Sequence, residues 1–337
     1  MSLNVCIFGV SGYTGSKLLY FLDRHKNVNI NGVFGESTLG QKLGQINKNL
    51  TRYSQLKIIN FNDFNFDNTD LIFSCLPHGK FQSEIVKVID PKIPIIDLSG
   101  DFRLESIDEY EKFYECKHKT ANLKKNYTYG LSEVYRDKIK KSKFISNPGC
   151  YPTSILIPLI PLLREKKFQI KDVIVDSKSG ISGAGKKLNI ENLFAEISEN
   201  FFSYGVSKHR HYPEIKQEID KFNDDTSITF IPHVIPIISG MQSTIYFNKN
   251  QEKEEYENVL SAFYKDEMFI KIYRDSSMPC IKDVKGTNNV AIKVFNDYSK
   301  KKIVIVSCID NLIKGASGQA VQNMNIMHGF REIESLV

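Results

Sequence analysis

The sequence contains no apolar run long enough to cross a membrane. A spanning helix needs about 20 consecutive apolar residues, and every apolar stretch in the 337 residues is shorter than that. The first ten residues, MSLNVCIFGV, also lack the charged segment that opens a secretory signal peptide. These absences predict a cytoplasmic protein with no membrane partner.

Paired cysteines are also absent, since the chain has no CxxC pair and no Cys/His spacing of the kind that binds zinc. We therefore expect a reducing compartment, no disulfide framework and no metal site. The scattered cysteines are Cys6, Cys75, Cys116, Cys150, Cys280 and Cys308.

A strong excess of one charge is missing too. The net charge is +6, from 45 Lys and Arg against 39 Asp and Glu, and it is spread along the chain. The lysine-rich runs at 138–143 and 300–302 are expected to be solvated faces or turns, because no nucleic-acid recognition motif accompanies them. No nucleic-acid partner is predicted.

What the sequence does contain begins with a dinucleotide-binding pattern. Residues 3–9 are predicted to form a buried strand, followed by the GxxGxxG variant GVSGYTG and a helical segment over 16–25. Glycines at these positions let the backbone approach a pyrophosphate, which the helix N-terminus stabilises. A tight turn without a ligand is the alternative. The expected cofactor contacts are Gly9, Ser11, Gly12, Tyr13, Thr14 and Gly15.

The segment after the second predicted strand, 30–34, gives opposite indications about the cofactor. Glu36 is the acidic type of residue that accepts a hydrogen bond from the ribose 2′-hydroxyl of NAD. Ser37 and Thr38 instead offer hydroxyls and backbone N–H groups to the 2′-phosphate of NADP. The residues alone leave the choice open.

Further buried strands are predicted at 70–76 and 93–99. The first of them runs into Pro77 and His78, which are expected to line the cofactor. A catalytic role for His78 is the alternative. Strand, loop and helix thus repeat through the first 148 residues, which predicts an α/β fold with a Rossmann-type, doubly wound parallel sheet.

The stretch SNPGCYPT places Cys150 where a strand turns sharply into a helix. A short apolar run, 143–146, precedes it, and the apolar segment 154–163 follows. Pro152 suits a first helical turn, where a missing N–H costs nothing. A thiol at a helix N-terminus ionises more readily, and the thiolate is the nucleophile. Cys150 is therefore predicted to be a catalytic nucleophile; the alternative is a buried, inert cysteine.

Beyond Cys150 the pattern changes to longer strands and one amphipathic helix, predicted over 252–269. This predicts a second, α+β domain with a mixed sheet. Its strands are expected at 172–176, 227–231, 243–247, 289–294 and 302–307.

A second chemical cluster, KHRHYPEI, contains His209, Arg210 and His211. In an extended segment the two histidines would point in opposite directions, so only one would face Cys150. One alternative to a catalytic role is a zinc site, but zinc would need further ligands that only the distant His233 or scattered cysteines could supply. The other alternative is a surface turn.

A third cluster, SGISGAGKK at 179–187, combines glycines with paired hydroxyls. It could cradle a phosphate, but it lacks the GxxxxGK[ST] spacing of an NTPase loop. A flexible turn is the alternative.

Together these motifs resemble those of N-acetyl-gamma-glutamyl-phosphate reductases, essentially from end to end. The motifs are GVSGYTG, CLPHG, DLSGDFR, YGLSE, NPGCYPT, SGISGAGK, KHRHYPEI and KGASGQAVQNMN. The resemblance implies NADPH-dependent reduction of N-acetyl-L-glutamyl 5-phosphate to N-acetyl-L-glutamate 5-semialdehyde through a Cys150 thioester, in arginine biosynthesis. It also implies a fold similar to that of aspartate-semialdehyde dehydrogenase and a homodimer or homotetramer.

The resemblance also implies the domain boundaries. Residues 1–148 are expected to form the dinucleotide-binding domain, completed by a C-terminal helix over 314–337. Residues 149–313 are expected to form the catalytic and oligomerisation domain.

Residue roles follow from the same resemblance. His211 is expected to be the general acid/base, with His209 and Arg210 holding the substrate's carboxylate or phosphate, although the order of the two histidines stays open. Ser182 and Arg103 are further expected substrate contacts. Besides the residues given above, the expected cofactor contacts are Gly183, Gly185, Asn311 and Gly315.

This chain departs from the family pattern at two positions. Many members have an arginine where it has Ser239, so Arg210 is expected to supply the anion contact. An arginine is also common where it has Glu36, so NADP is expected with reduced selectivity over NAD.

Two other functions stay open at this point. A reductase of carrier-protein-bound aminoadipyl phosphate in lysine biosynthesis would use the same chemistry. A non-catalytic Rossmann redox sensor would bind the nucleotide but would need no activated cysteine.

Overall fold

The computed structural model describes residues 2–186 and 189–337. The chain divides into two compact units: Met1–Pro148 together with Ala316–Val337, and Gly149–Gly315. The predicted boundaries lay at 148/149 and 313/314.

The first unit is built on a sheet whose strands alternate with helices. In the described residues, six strands pair in the order β2-β1-β3-β4-β6-β5, each pair parallel. The predicted Rossmann-type sheet is thereby confirmed. The elements are β1 (Leu3–Phe8), α1 (Tyr13–Leu22), β2 (Val28–Phe34), α2 (Leu43–Ile46), β3 (Leu71–Ser74), β4 (Ile95–Asp97), α3 (Ile107–Tyr114), β5 (Tyr127–Tyr129), α4 (Ser132–Ile139) and β6 (Phe144–Ser146).

The central strands of this sheet are continuous apolar runs rather than alternating ones. Every residue of β3 is buried, as is nearly all of β1, which is typical of parallel strands covered on both faces. The aromatic side chains of Phe8, Phe34, Phe81 and Phe102 belong to one buried cluster. This packing fixes the carboxyl ends of the strands, where the expected cofactor residues lie.

The second unit contains a mixed sheet with helices. Its described strands pair in the order β11-β12-β13-β10-β7-β9-β8, of which β7–β9 and β11–β12 are parallel and the other pairs antiparallel. The predicted mixed sheet is confirmed. The elements are α5 (Cys150–Arg164), β7 (Asp172–Gly180), α6 (Phe194–Ile197), β8 (Phe202–Ser203), α7 (His211–Asp220), β9 (Ser227–Ile235), β10 (Met241–Asn248), α8 (Lys253–Phe263), β11 (Ile270–Ile272), α9 (Ile281–Val284), β12 (Val290–Asn296) and β13 (Lys302–Ile309).

One face of the mixed sheet is covered by α5 and α8. Burial alternates along β7, where Val173 and Val175 are buried whereas Ile174 is 43% exposed. The helices therefore cover one face, and the other stays half-buried within this unit.

Helix α5 contains two prolines in its interior, Pro158 and Pro161. A proline removes the N–H that would bind the carbonyl four residues earlier. For Pro161 that carbonyl belongs to Ile157, and the Tyr264 hydroxyl donates to it at 2.5 Å. Tyr264 thus satisfies an acceptor that the helix leaves open.

The structure differs from the sequence prediction in its short edge elements. Strands β5, β8 and β11 have two or three residues, too few to show a periodic pattern. Helix α8 ends at Phe263 rather than at residue 269, because the chain then turns into β11, which pairs with β12.

The predicted C-terminal helix over 314–337 is wrong in its extent. A π-helical turn, Ile313–Ser317, leads into α10 (Gly318–His328). Gly329 ends α10 in a left-handed conformation (φ +69°), and the Phe330 N–H donates to Asn325 O at 2.9 Å. Helix α10 packs on α1 and α4 of the first unit.

Within residues 2–186 and 189–337, none of the helices combines the length and apolarity that crossing a bilayer requires.

Candidate active site

Cys150 is the first residue of α5, as predicted. Gly149 is the N-cap, with an extended backbone, and both the N–H and the hydroxyl of Thr153 donate to its carbonyl. The N–H groups of the first helical turn point out of the helix N-terminus and create a positive potential there. This environment stabilises a thiolate.

Three other cysteines are more deeply buried than Cys150. Burial raises the pKa of the Cys6 thiol to about 11 and that of Cys308 to about 12, and it also raises the pKa of Cys75. These three thiols stay protonated near neutral pH, whereas Cys150 is only partly buried.

His211 lies directly beside the residue that precedes Cys150. A Cβ on Gly149 would be 2.5 Å from Nε2 of His211, so only glycine allows the imidazole to approach this closely. His211 is buried at the start of α7. The N-termini of α5 and α7 therefore bring the predicted nucleophile and the predicted acid/base together.

A second glycine lies against Cys150 itself. A Cβ on Gly315 would be 2.6 Å from the Cys150 Cβ. Gly315, predicted as a cofactor contact, thus has a role the sequence did not indicate: it makes room for the cysteine side chain.

Glu214 is a site residue that sequence reasoning missed. Its side chain is fully buried, and Oε1 accepts a hydrogen bond from the Gly149 N–H at 2.8 Å. Glu214 lies three residues after His211, on the same side of α7. The signal was present in KHRHYPEI, where an acidic residue follows the second histidine.

His209 and His211 are not in an extended segment, which corrects the expectation that they point in opposite directions. Arg210 has helical backbone angles and caps α7. The two rings are in contact, with centroids 4.9 Å apart. In addition, the backbone N–H of His211 donates to the ring atom Nδ1 of His209 at 3.1 Å.

The partners of His209 form a directed chain of hydrogen bonds. Because Nδ1 is an acceptor, Nε2 carries the proton and lies 3.3 Å from the Tyr204 hydroxyl. Tyr204 donates to the Tyr151 hydroxyl at 3.2 Å, and Tyr151 donates to the His233 carbonyl at 3.1 Å. The chain thereby connects the residue after Cys150 to β9.

His209 is neutral in these surroundings. Burial and, to a smaller extent, the nearby Arg210 charge lower its pKa to about 3. With both ring nitrogens engaged, His209 is better placed to support Tyr151 than to hold an anionic substrate. Arg210 is exposed and stays the predicted anion contact.

The predicted loop at 179–187 packs against the turn that contains Ser239. Asn311 bridges the two, since its Nδ2 donates to Ser182 Oγ at 3.0 Å and its Oδ1 accepts from the Gly240 N–H at 2.7 Å. Asn311, predicted to contact the cofactor, thus holds the loop in place. Lys187 of this loop lies outside the described residues.

The two glycines of that loop differ in their surroundings. Gly185 has a left-handed backbone (φ +78°), and a Cβ there would meet no atom within 4 Å among residues 2–186 and 189–337. A Cβ on Gly183 would lie 3.2 Å from Ser179 Oγ. Their roles as cofactor contacts stay predictions.

In the first unit, the glycine pattern forms the cradle expected of a dinucleotide site. Gly9 has φ +81°, and a Cβ there would lie 2.6 Å from the Cys75 carbonyl oxygen, while one on Gly15 would overlap the Gly9 carbonyl. Gly12 is the N-cap of α1, and in the described part of the chain the one atom within 4 Å of a Cβ there would be Gly9 O, at 3.6 Å. The N-terminus of α1 is therefore open to a phosphate, with Ser11, Tyr13 and Thr14 beside it in sequence.

The residues after β2 have specific partners. Glu36 forms an ion pair with Lys80, and Ser37 Oγ donates to Ser11 Oγ at 3.4 Å. Thr38 Oγ1 is buried without a hydrogen-bond partner in the part of the chain that the structure describes. A hydroxyl of this kind is able to donate a hydrogen bond to a group with acceptor oxygens.

The Pro77–Gly79 loop is held by a buried carboxylate. The Gly79 N–H and the Tyr110 hydroxyl both donate to Oδ1 of Asp101, at 2.6 and 2.7 Å. The His78 ring packs edge-on against Tyr114, with centroids 5.3 Å apart.

Arg103 is buried and donates to two main-chain carbonyls, of Asn147 at 2.8 Å and of Leu98 at 3.0 Å. These bonds hold the end of β6, next to the Cys150 turn in sequence. Its predicted contact with the substrate stays a prediction.

Across residues 2–186 and 189–337, no three His, Cys, Asp or Glu side chains are grouped so as to hold a metal ion.

Comparisons with known proteins match the chain over almost its whole length. The family model "Semialdehyde dehydrogenase, NAD binding domain" matches residues 4–142, and "Semialdehyde dehydrogenase, dimerisation domain" matches 150–311. N-acetyl-gamma-glutamyl-phosphate reductase from Caldicellulosiruptor saccharolyticus is 41% identical over 341 residues, covering 99% of this chain and 98% of the relative. A probable chloroplastic N-acetyl-gamma-glutamyl-phosphate reductase from Arabidopsis thaliana is 40% identical over 338 residues, covering 99% and 84%.

Solved structures show the same fold at low identity. Aspartate semialdehyde dehydrogenase II from Vibrio cholerae, complexed with ASA, has a TM-score of 0.75 at 17% identity and covers 98% of this chain and 99% of that one. Aspartate semialdehyde dehydrogenase with NADP from Candida albicans has a TM-score of 0.70 at 15% identity, covering 97% and 99%.

Proposed function

The chain belongs to the N-acetyl-gamma-glutamyl-phosphate reductase family, and from that premise we propose that it reduces N-acetyl-L-glutamyl 5-phosphate to N-acetyl-L-glutamate 5-semialdehyde in arginine biosynthesis. The observation that carries the mechanism is Cys150 at the N-terminus of α5, with His211 against Gly149. The names of the full-length relatives favour this activity over an aminoadipyl phosphate reductase and over a redox sensor.

In the first step, the Cys150 thiolate attacks the acyl carbon of the substrate. A C–S bond forms, the bond from carbon to the phosphate oxygen breaks, and inorganic phosphate leaves. We assign to His211 the acceptance of the thiol proton, because its ring lies beside the residue preceding the cysteine. Exposed Arg210 is the proposed contact for the substrate's anionic group.

The developing oxyanion needs hydrogen-bond donors. Glu214 already accepts from the Gly149 N–H, so we assign the oxyanion to the N–H groups of the first turn of α5. Glu214 keeps the cap fixed while these donors act.

The first unit fits a nicotinamide dinucleotide. Two observations support this: the open N-terminus of α1 at Gly12, and the Thr38 hydroxyl, which has no hydrogen-bond partner among the described residues. When bound, the reduced cofactor would supply the hydride that brings the thioester carbon to the aldehyde level. The C–S bond to Cys150 then breaks, so that the semialdehyde leaves and the cysteine thiolate is regenerated. We propose NADP, with reduced selectivity over NAD because of Glu36.

We further propose that 1–148 with the C-terminal helix binds the cofactor, and that 149–313 carries catalysis and oligomerisation. The half-buried face of the mixed sheet, where Ile174 is 43% exposed, supports a homodimer or homotetramer. A cytoplasmic location stays the prediction made from sequence.

The decisive experiment is phosphate-dependent oxidation of N-acetylglutamate semialdehyde, run in parallel with NADP and NAD. We expect turnover that requires phosphate, because the reverse reaction regenerates the acyl phosphate from the thioester. The proposal fails if this substrate is inert while carrier-bound aminoadipate semialdehyde is oxidised, or if neither is.

A further inference from the structure

Lys80, a lysine that no sequence motif singled out, lies where the cofactor ribose is expected. Its Nζ forms an ion pair with Oε1 of Glu36. Lys80 follows the Pro77–Gly79 loop, and Glu36 follows β2. The two residues are 44 positions apart, so local sequence gives no indication that they meet.

Two residues with hydroxyl groups, Ser37 and Thr38, follow Glu36 in the sequence. Ser37 Oγ donates to Ser11 Oγ, which connects the segment after β2 to the glycine pattern. Thr38 Oγ1 is buried without a hydrogen-bond partner in the described residues, and a Cβ on Gly35 would lie only 3.0 Å from it. Because an unsatisfied buried hydroxyl is costly, this atom points to a ligand with acceptor oxygens.

We propose that Lys80 binds the 2′-phosphate of NADP, which displaces Glu36 from the ion pair. The inference rests on the proposed function only in taking the cofactor to be a nicotinamide dinucleotide. A phosphate monoester carries about −1.5 to −2 charges at pH 7, so it competes favourably with one carboxylate for the ammonium group.

The exposures of the two side chains suit such an exchange. The Glu36 side chain is 77% exposed, whereas that of Lys80 is 27% exposed. The carboxylate is therefore free to move into solvent while the ammonium group stays near the segment after β2. When the cofactor has no 2′-phosphate, Lys80 stays paired with Glu36 and neutralises its charge. NAD is then able to bind as well.

The test measures binding without any reaction, by calorimetry with 2′,5′-ADP and 5′-AMP, which differ only in the 2′-phosphate. Lys80→Met should weaken 2′,5′-ADP about 10- to 100-fold, as expected for the loss of a charge-assisted hydrogen bond, and change 5′-AMP less than about twofold. Glu36→Gln should strengthen 2′,5′-ADP several-fold, because the competing carboxylate is gone.

Two further variants serve as controls. Lys80→Arg keeps a cation and should bind 2′,5′-ADP within a few-fold of the wild type. Lys87→Met removes an exposed lysine seven positions further along the chain and should change neither affinity.

Unchanged 2′,5′-ADP affinity in Lys80→Met would overturn the inference, since the phosphate would then bind elsewhere. Equal weakening of both nucleotides would overturn it too, because Lys80 would then only support the loop. If the binding pattern holds but the wild type fails to oxidise the semialdehyde, the proposed function fails and the Lys80 assignment stands.

Discussion

The reactivity of each cysteine in this protein depends on how far its thiol is exposed to solvent. Cys6 and Cys308 have thiols whose pKa burial raises to about 11 and about 12. Cys150 keeps partial exposure and gains the positive end of α5. A nucleophile must be both ionisable and reachable, and for these reasons Cys150 stays the predicted nucleophile.

We predict that Cys150→Ser abolishes reduction and leaves nucleotide affinity unchanged. An alcohol ionises far above pH 7, so serine cannot replace the thiolate, and turnover should fall by more than about a hundredfold. Steady-state rates and calorimetric NADPH binding measure the two effects. A serine variant that keeps more than about 1% of the wild-type rate would rule out covalent catalysis at this position.

Stability below neutral pH should depend on His209. Burial lowers its pKa to about 3, whereas the ordinary value is 6.5. Between these values the unfolded chain binds a proton that the folded protein does not, so stability falls as pH decreases from about 6.5. The slope for one such group reaches about 1.4 kcal/mol per pH unit.

His209→Gln should therefore flatten the loss of stability between pH 7 and pH 5. Burial and the neighbouring Asp101 raise the pKa of Asp97 to about 7. This group therefore adds stability as pH falls, which is opposite to the effect of His209. Asp97 is present in both proteins, so its contribution cancels when the variant is compared with the wild type. Urea unfolding at both pH values gives the comparison. Parallel losses in the two proteins would show that His209 does not titrate as described.

At the scale of elements, the site is a meeting of two helix N-termini. Helix α5 supplies Cys150 and helix α7 supplies His211, while Glu214 ties the cap of the first helix to the second. The Gly149 N–H donates this hydrogen bond to the fully buried Glu214 carboxylate. Removal of the carboxylate therefore leaves the N–H without its acceptor.

We predict that Glu214→Ala lowers kcat about 10- to 100-fold with little change in KM, because a cap that moves misplaces the nucleophile. Glu214→Gln should recover most of the rate, since its amide oxygen can still accept from Gly149. The matched control is Glu218→Gln, another fully buried carboxylate of α7 that pairs with Lys221. A rise in KM at constant kcat for Glu214→Ala would contradict this positioning role.

At the scale of the whole molecule, the chain returns to its first unit after building the second. Residues 316–337 belong with 1–148, and α10 contributes the buried Val321 and Met324. Asn323 donates to the carbonyl of Gly130 at 2.8 Å and to Oδ1 of Asn147 at 3.1 Å. The stability of the first unit therefore depends on the last residues of the sequence.

Deletion of residues 316–337 should destabilise the first unit selectively. The apolar side chains of the first unit that pack on α10 would be exposed to water. This exposure lowers the free energy of unfolding by about 25 cal/mol per Å² of apolar surface. Hydrogen exchange should then show lost protection in β1 to β6 and retained protection in β7 to β13. Unchanged exchange in the first unit would contradict the prediction.

The sequence by itself determined the features that depend on neighbours along the chain. Apolar periodicity indicated the parallel and mixed sheets, GVSGYTG indicated the glycine cradle, and the prolines around Cys150 indicated a helix start. These features arise from local backbone preferences and from burial patterns, both of which a short segment expresses without the rest of the fold.

Only the tertiary structure decided which distant groups meet. The pairing of Lys80 with Glu36 joins residues 44 positions apart, and the bond from Glu214 to Gly149 spans 65. The helical backbone angles of Arg210 excluded the extended segment that the sequence suggested, and the edge strands β5, β8 and β11 form by pairing with β6, β9 and β12. A hydrogen bond or ion pair depends on atomic separation and direction in space, and chain order fixes neither until the core has packed.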